Sequence, residues 1–349
     1  MSVKTYPFRN ILLIQLRRIG DVLMTTPSIR AIRKTYPDAH ISFLTEPPSN
    51  QVLRYNPYLS EILVSQKKAS LREYCLLLWQ IRQSNFDLVI DFFGNPRSAL
   101  ISWISGAEYR IGFDFPGRRL YYTQHVALKG KETYAAEHKS FLLEPLKISL
   151  DSLELDFFVD HSDRAYANSL FEHMNLGKND FVVSISPVSR QPYKVWPAQN
   201  FSGIADRLIE KFGAKVLFTY GPGEEHFVER VRQHMCHKAL PDYPVPTLRQ
   251  AKAIFEKVDL HLGNDNGLCH FAIAAGIPTV AVFGKPKAVN WTPPGQTRHR
   301  AVEYDPGCKI HCSYPRCDHL NCINGVEPEK VAGATFDLIE HFQLKKIYV

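Results

Sequence analysis

No apolar run in the sequence approaches the ~20 residues needed to span a bilayer, so no segment stands out as a transmembrane helix. The first ten residues, Met1 to Asn10, are short and polar and lack the apolar region of a signal peptide. A cytoplasmic protein is therefore expected. There is no helix-turn-helix and no aromatic ribonucleoprotein strand, so nucleic acid is not an expected partner. No G-x-G-x-x-G follows the first apolar run, which disfavours a dinucleotide-dependent dehydrogenase. Cysteine is sparse, seven in 349 residues, but four of the seven crowd into the segment 308–322.

What remains is a globular composition, 45% hydrophobic and 22% charged. A chain of 349 residues exceeds one ordinary core, and two domains of similar size are the default. The net charge of +7 suits anionic substrates, nucleic acid or an anionic membrane face without choosing among them. Basic residues cluster at Arg30-Arg33-Lys34, Lys67-Lys68, Arg118-Arg119 and Lys345-Lys346. Short patches of this kind are more often solvated faces than binding sites.

The chain is organised around Leu16-Arg17-Arg18-Ile19-Gly20-Asp21-Val22-Leu23-Met24-Thr25-Thr26-Pro27. It follows the apolar run Ile11 to Leu16, a buried strand, and leads into helical spacing that ends at Tyr36-Pro37. Gly20 is expected to permit a tight turn, and Asp21 to fall near a helix N-terminus, where unpaired N–H groups stabilise a carboxylate. A helix cap alone would explain Asp21. A catalytic base at the mouth of an α/β sheet would also explain it.

Downstream, strands are expected at His40–Thr45, Glu61–Ser65 and Phe86–Phe93, with helices at Leu71–Gln83 and Arg97–Ile104. The leucine-rich helix Leu71–Gln83 has apolar residues on more than one face and reads as well covered. Strands alternating with helices imply a parallel, doubly wound sheet, whose ligands bind beyond the carboxyl ends of the strands. Arg110 to Phe113, Arg118, Arg119 and the segment around Glu137-His138 are read as loop residues, either surface decoration or a basic pocket for an anionic acceptor.

The pattern loosens between Leu155 and Lys178, then restarts at Phe181–Ser186, giving domains 1–170 and 171–349. A helix is expected over Ala198–Phe212, with Pro197 at its first turn and Trp196 packed beneath an ordered loop that places Lys194. Gly221-Pro222-Gly223 allows close backbone approach to a ligand, and Glu224 or Glu225 beyond it suits a ribose diol as well as a helix dipole. The strongest signal is Asp259 to His270, where a strand ends at Gly263-Asn264 and a small-residue helix starts near Asn266-Gly267. Asp265, Asn266 and Gly267 there could be caps alone, yet a helix that starts with Gly beside an anion-ready turn favours a pyrophosphate site.

Arg-Ile-Gly-Asp-Val-Leu with Thr-Thr-Pro, then Lys194-x-Trp196-Pro197, then Asp265-x-Gly267-x-x-His270 before Pro-x-x-x-x-Phe-Gly resemble, in order and spacing, the heptosyltransferases of glycosyltransferase family 9. The resemblance implies a GT-B architecture, two Rossmann-like doubly wound domains facing a cleft, with a C-terminal helix that can pack back on the first. It implies metal-independent, inverting transfer of heptose from ADP-L-glycero-β-D-manno-heptose to a lipid A–Kdo inner-core acceptor. No cofactor is implied for catalysis, and peripheral contact with the inner-membrane surface is. Asp21 would be the general base, Lys194 would neutralise the diphosphate, and Glu225 would hold the ribose, with Glu224 as alternative. Asp265 would face the heptose hydroxyls, the Asn266 and Gly267 amides and Ser189 the phosphates, and His270 completes the donor site. Arg18, Arg118, Arg119 and His138 would meet the acceptor. Asn266 stands where a threonine is common in that family. Two other classes compete: a related enzyme on this fold with another nucleotide sugar, and a non-catalytic nucleotide-sugar-binding module.

Cys308, Cys312, Cys317 and Cys322, with His311 and His319 among them, are dense enough to suggest metal over disulfide in a cytoplasmic chain. The spacings are not the C-x₂-C pairs of most zinc knuckles. A structural metal or cluster, a disulfide-capable redox site and four plain thiols all stay open. Cys269 reads as a small buried residue.

Overall fold

Short apolar runs alternating with helical segments build two parallel sheets in a computed structural model that describes residues 7–66, 69–128, 132–285, 288–295, 298–308, 312 and 316–344. Lys67-Lys68, His311 and Lys345-Lys346 lie outside the described residues. The chain divides into two units, Met1–Phe158 and Val159–Val349.

The first unit carries β1 (Asn10–Ile14), β2 (His40–Thr45), β3 (Glu61–Val64), β4 (Leu88–Asp91), β5 (Tyr109–Phe113) and β6 (Gln124–Val126). All pair in parallel, in the order β3-β2-β1-β4-β5-β6. In β1 both faces are buried. Ile11 and Leu13 pack with Ile29 and Ile32 of the helix Thr26–Thr35, and Leu12 and Ile14 with Ile81 and Ile101 on the other side. Each such side chain contributes roughly 1.5–3 kcal/mol relative to exposure.

Five expectations for this unit change. The helix after Asp21 is two helices, Ile19–Leu23 and Thr26–Thr35, because Pro27 has no N–H to offer the Leu23 carbonyl. Thr26 Oγ1 takes that carbonyl at 2.7 Å, and Thr25 Oγ1 takes Val22 O at 2.6 Å. Gly20 is the second residue of the first helix rather than a turn glycine. Arg110 to Phe113 belongs to β5, not to a loop. Arg30, Arg33 and Lys34 are not simply a solvated face. Arg30 is buried and paired with Asp151 and Asp156, Lys34 pairs with Asp151, and Arg33 donates to Tyr58, Pro37 and Ala39 carbonyls. Finally, the helix Leu71–Gln83 is not well covered, since only Ile81 of its thirteen residues is buried.

The second unit carries β7 (Val182–Ser186), β8 (Lys215–Phe218), β9 (Leu260–Asn264), β10 (Thr279–Phe283) and β11 (His299–Glu303), parallel in the order β11-β10-β9-β7-β8. The polar helix His161–His173 belongs here rather than to the first unit, because Asp163 and Arg164 bind Arg249 and Glu256 on and beside the helix Leu248–Phe255. The terminal helix Pro328–His341 buries Val331, Ala332, Leu338 and Ile339 in this unit's own core.

Candidate active site

In each sheet two adjacent strands are followed by connections that diverge, and the loops beyond their carboxyl ends leave a crevice. In the second unit this switch point lies between β7 and β9. Asn264, fully buried at the end of β9, stitches it. Its Nδ2 donates to Pro187 O at 2.8 Å, and its Oδ1 accepts from Trp196 N at 3.1 Å. Trp196 is buried as expected, donating Nε1 to Val326 O at 3.0 Å and standing edge-on to Phe201. It anchors the 3-10 turn Pro192–Lys194, from which Lys194 Nζ reaches 2.5 Å from Asp265 Oδ2. Gly284, after β10, lets this turn approach: a Cβ there would lie 1.8 Å from Tyr193 O.

Asn266 caps the helix Gly267–Ala274 with its own side chain. Oδ1 accepts from Leu268 N at 2.8 Å and Cys269 N at 3.2 Å, while Nδ2 donates to Ser186 Oγ and Val188 O. The helix start is thus partly occupied from within, and what it can offer an anion narrows to the Asn266 and Gly267 amides. Ser189 is buried in the β7 loop and accepts from Gln191 N at 3.3 Å. Glu224 folds back on Gly221 N at 2.9 Å, whereas Glu225 is exposed at the start of the helix Glu225–Arg232. His270 is buried one turn into its helix and lies tilted against Trp291. Cys269 proves a buried structural thiol, pushed up to about 12 chiefly by burial, donating to Asn264 O at 3.1 Å and touching His261.

In the first unit the switch point lies between β1 and β4. Asp21, half-buried at the third position of its short helix, accepts from Arg18 N at 3.3 Å, and Arg18 is that helix's N-cap residue. Asp91, at the end of β4, is fully buried and accepts from Phe93 N, Gly94 N and Tyr122 OH (2.6 Å). Burial pushes its carboxyl up against the pull of those donors. Gly112 makes room for the Tyr122 ring, since a Cβ there would lie 2.3 Å from it.

Sequence reading missed Asp91 and Lys139. Lys139 is buried in the helix Ala135–Ser140, donating to Gln15 Oε1 at 2.7 Å and Phe92 O at 3.4 Å. Burial pushes its ammonium down while the charges of Asp21 and Asp91 oppose that shift. The neighbouring His138 instead stacks on Phe113 with centroids 4.6 Å apart, and burial and then Lys139 push it down. Arg118 lies over the Phe115 ring, and Arg119 is engaged by Asp114 through two bonds of 2.8 Å. Asp21 and Lys139 therefore share one end of the sheet, while the charge of Arg119 is met locally.

Cys308, Cys312, Cys317 and Cys322 are half-buried free thiols, with the His319 ring 3.5 Å from Cys317 Sγ. Among the described residues no group of three or more histidine, cysteine or acidic side chains is arranged to hold a metal ion, so the structural-metal reading finds no support.

A profile of glycosyltransferase family 9 (heptosyltransferase) matches residues 76–317. The chain is 28% identical to lipopolysaccharide heptosyltransferase 3 of Escherichia coli K12 over 297 residues, 80% of this chain and 83% of that protein. Among solved structures, a glycosyl transferase family 9 protein from Veillonella parvula superposes with a TM-score of 0.85 at 25% identity, covering 98% of this chain and 99% of the other. The E. coli ADP-heptose lps heptosyltransferase II superposes with a TM-score of 0.75 at 19% identity, covering 96% and 99%. Two Rossmann-like parallel-sheet units are the components of the GT-B class.

Proposed function

The chain belongs to glycosyltransferase family 9, the heptosyltransferases, and on that premise we propose that this glycosyltransferase moves heptose, with inversion, from ADP-L-glycero-β-D-manno-heptose to a lipid A–Kdo inner-core acceptor. The observation that carries the donor half is the Lys194–Asp265 pair, held at the switch point of the second unit. A cation and a hydroxyl-binding carboxylate side by side suit the diphosphate and sugar of one nucleotide sugar. Glu225 stands exposed for the ribose, and Ser189 with the Asn266 and Gly267 amides lines the phosphate side, with His270 behind.

In the reaction the acceptor oxygen attacks the anomeric carbon as the bond from that carbon to the diphosphate oxygen breaks. The acceptor proton passes to Asp21, and the electron pair of the broken bond leaves with ADP. Fixed donors and Lys194 stabilise the departing charge, the role such groups play when no metal bridges the phosphates. Arg18, Arg118 and His138 would meet the acceptor's acidic groups, with Arg119 reaching them only by leaving Asp114. The similarity to lipopolysaccharide heptosyltransferase 3 supports a lipopolysaccharide acceptor in general. Among the described residues no helix is long and apolar enough to cross a membrane, which fits an enzyme that meets a lipid-anchored acceptor at the membrane surface.

Calorimetric titration with ADP, UDP and GDP, followed by transfer assays with ADP-heptose and a heptose-deficient core, tests the proposal. Preference for ADP and labelled product are expected. Preference for UDP would replace the donor.

A further inference from the structure

The helix Leu71–Gln83 buries one face and leaves the other without an explained role. Inward, Ile81 with Leu77 and Leu78 closes the core beneath β1. Outward, Arg72, Cys75, Leu76, Trp79, Arg82 and Gln83 recur at spacings of three and four and are all exposed, Trp79 at 64% and Leu76 at 54%. A large aromatic surface left that open on a helix with a satisfied inner face is an interaction surface.

Its chemistry is specific. Trp79 sits mid-helix between Arg72 and Arg82, and the only carboxylate of the helix, Glu73, turns back to cap its N-terminus, bonding Ser70 N at 2.7 Å and Ser70 Oγ at 2.8 Å. The sequence 66–83 holds Lys67, Lys68, Arg72 and Arg82 against that one acid. Arg82 also extends the surface to the next helix. A Cβ on Gly106 would lie 2.8 Å from its Nη1, and Gly106 N bonds Trp103 O, itself the carbonyl of a tryptophan 55% exposed. Two open tryptophans, a leucine and guanidinium groups match the headgroup zone of a bilayer, where indoles sit at the polar boundary and arginines meet lipid phosphates.

We propose that this face docks the protein on an anionic membrane surface, with Trp79 and Leu76 entering the headgroup boundary and Arg72 and Arg82 pairing with acidic lipids. The choice of a bilayer over a protein partner rests in part on the lipid-anchored acceptor proposed above. The test does not, because vesicles without acceptor suffice. The full chain should sediment with phosphatidylcholine vesicles containing phosphatidylglycerol, bind weakly to phosphatidylcholine alone, and be released by salt. Arg72→Gln should weaken binding about fivefold, and Trp79→Glu should abolish it with the thermal midpoint unchanged. Transfer to a soluble, deacylated acceptor should be equal in Trp79→Glu and the parent, while transfer to vesicle-embedded acceptor falls. If no transfer occurs with either acceptor, the proposed activity fails and the docking result stands. Equal vesicle binding by Trp79→Glu and the parent would overturn the proposal. So would a concentration-dependent dimer that this substitution abolishes, since the face would then bind a second copy.

Discussion

Lys194 Nζ and Asp265 Oδ2 stand 2.5 Å apart, joined from the loops after two different strands, with side chains only 19% and 4% exposed. The pair is a charge-neutral unit until a diphosphate enters. In the proposed reaction Lys194 would then serve two anions, and Asp265 would keep it aimed.

Lys194→Gln leaves the Asp265 carboxylate buried without its cation. Breaking a buried pair costs about 3–5 kcal/mol, and the partial exposure of Lys194 places the expected loss at the low end. Lys194→Gln/Asp265→Asn should recover most of the unfolding free energy in urea and none of the transfer activity. Recovery of transfer in the double variant would show that the pair is structural only.

Asp21 both caps a helix and faces the sheet edge, and two substitutions separate these roles. Asp21→Asn can still accept from Arg18 N, so stability should hold while transfer falls about 10²–10⁴-fold. Asp21→Ala should lose the same transfer and, in addition, about 0.5–2 kcal/mol of stability. ADP affinity by calorimetry should be unchanged in both.

Gly284→Ala places a carbon where Tyr193 O now lies, so the turn bearing Lys194 must move. A displacement of about 1 Å typically costs about 10²-fold in rate. The expected result is a fall of that order in kcat/KM with weaker ADP binding. Unchanged kinetics would mean that the Lys194 turn is not part of the site.

Two buried histidines tie stability to pH. Burial holds His261 down at about 3 and His299 at about 4. Both folded values lie below the unfolded value near 6.5, so the unfolded chain takes up protons first. Their contribution is complete above that value and is lost as pH falls toward the folded values. Each histidine costs about 1.4 kcal/mol per pH unit in that window. The thermal midpoint should drop steadily from pH 6.5 to pH 4.5, and less steeply in His261→Gln. A flat profile would contradict the neutral burial of both rings.

Local spacing made the Asp21 stretch and the Asp265–His270 turn legible in the sequence, because each is a strand end followed at once by helical periodicity, and Pro197 marked the start of the helix Ala198–Phe212. β5 escaped notice because Arg110 and Gly112 interrupt its apolar pattern, and Gly112 is there for the Tyr122 ring, a partner from farther along the chain. Lys139 was hidden by its neighbour. Adjacent residues on a helix point about 100° apart, and only the packed helix shows that Lys139 enters the sheet edge while His138 stacks on Phe113. The leucines of Leu71–Gln83 indicated a helix without telling which face was covered.

Asn266 occupies two of the helix-start amides with its own carboxamide oxygen. On the proposed reaction, which releases ADP in every cycle, a less adhesive cradle would be an advantage in turnover. A helix start with all its donors free would hold the spent nucleotide longer and slow each cycle at its exit. On that proposal, one side chain would set how readily the product departs.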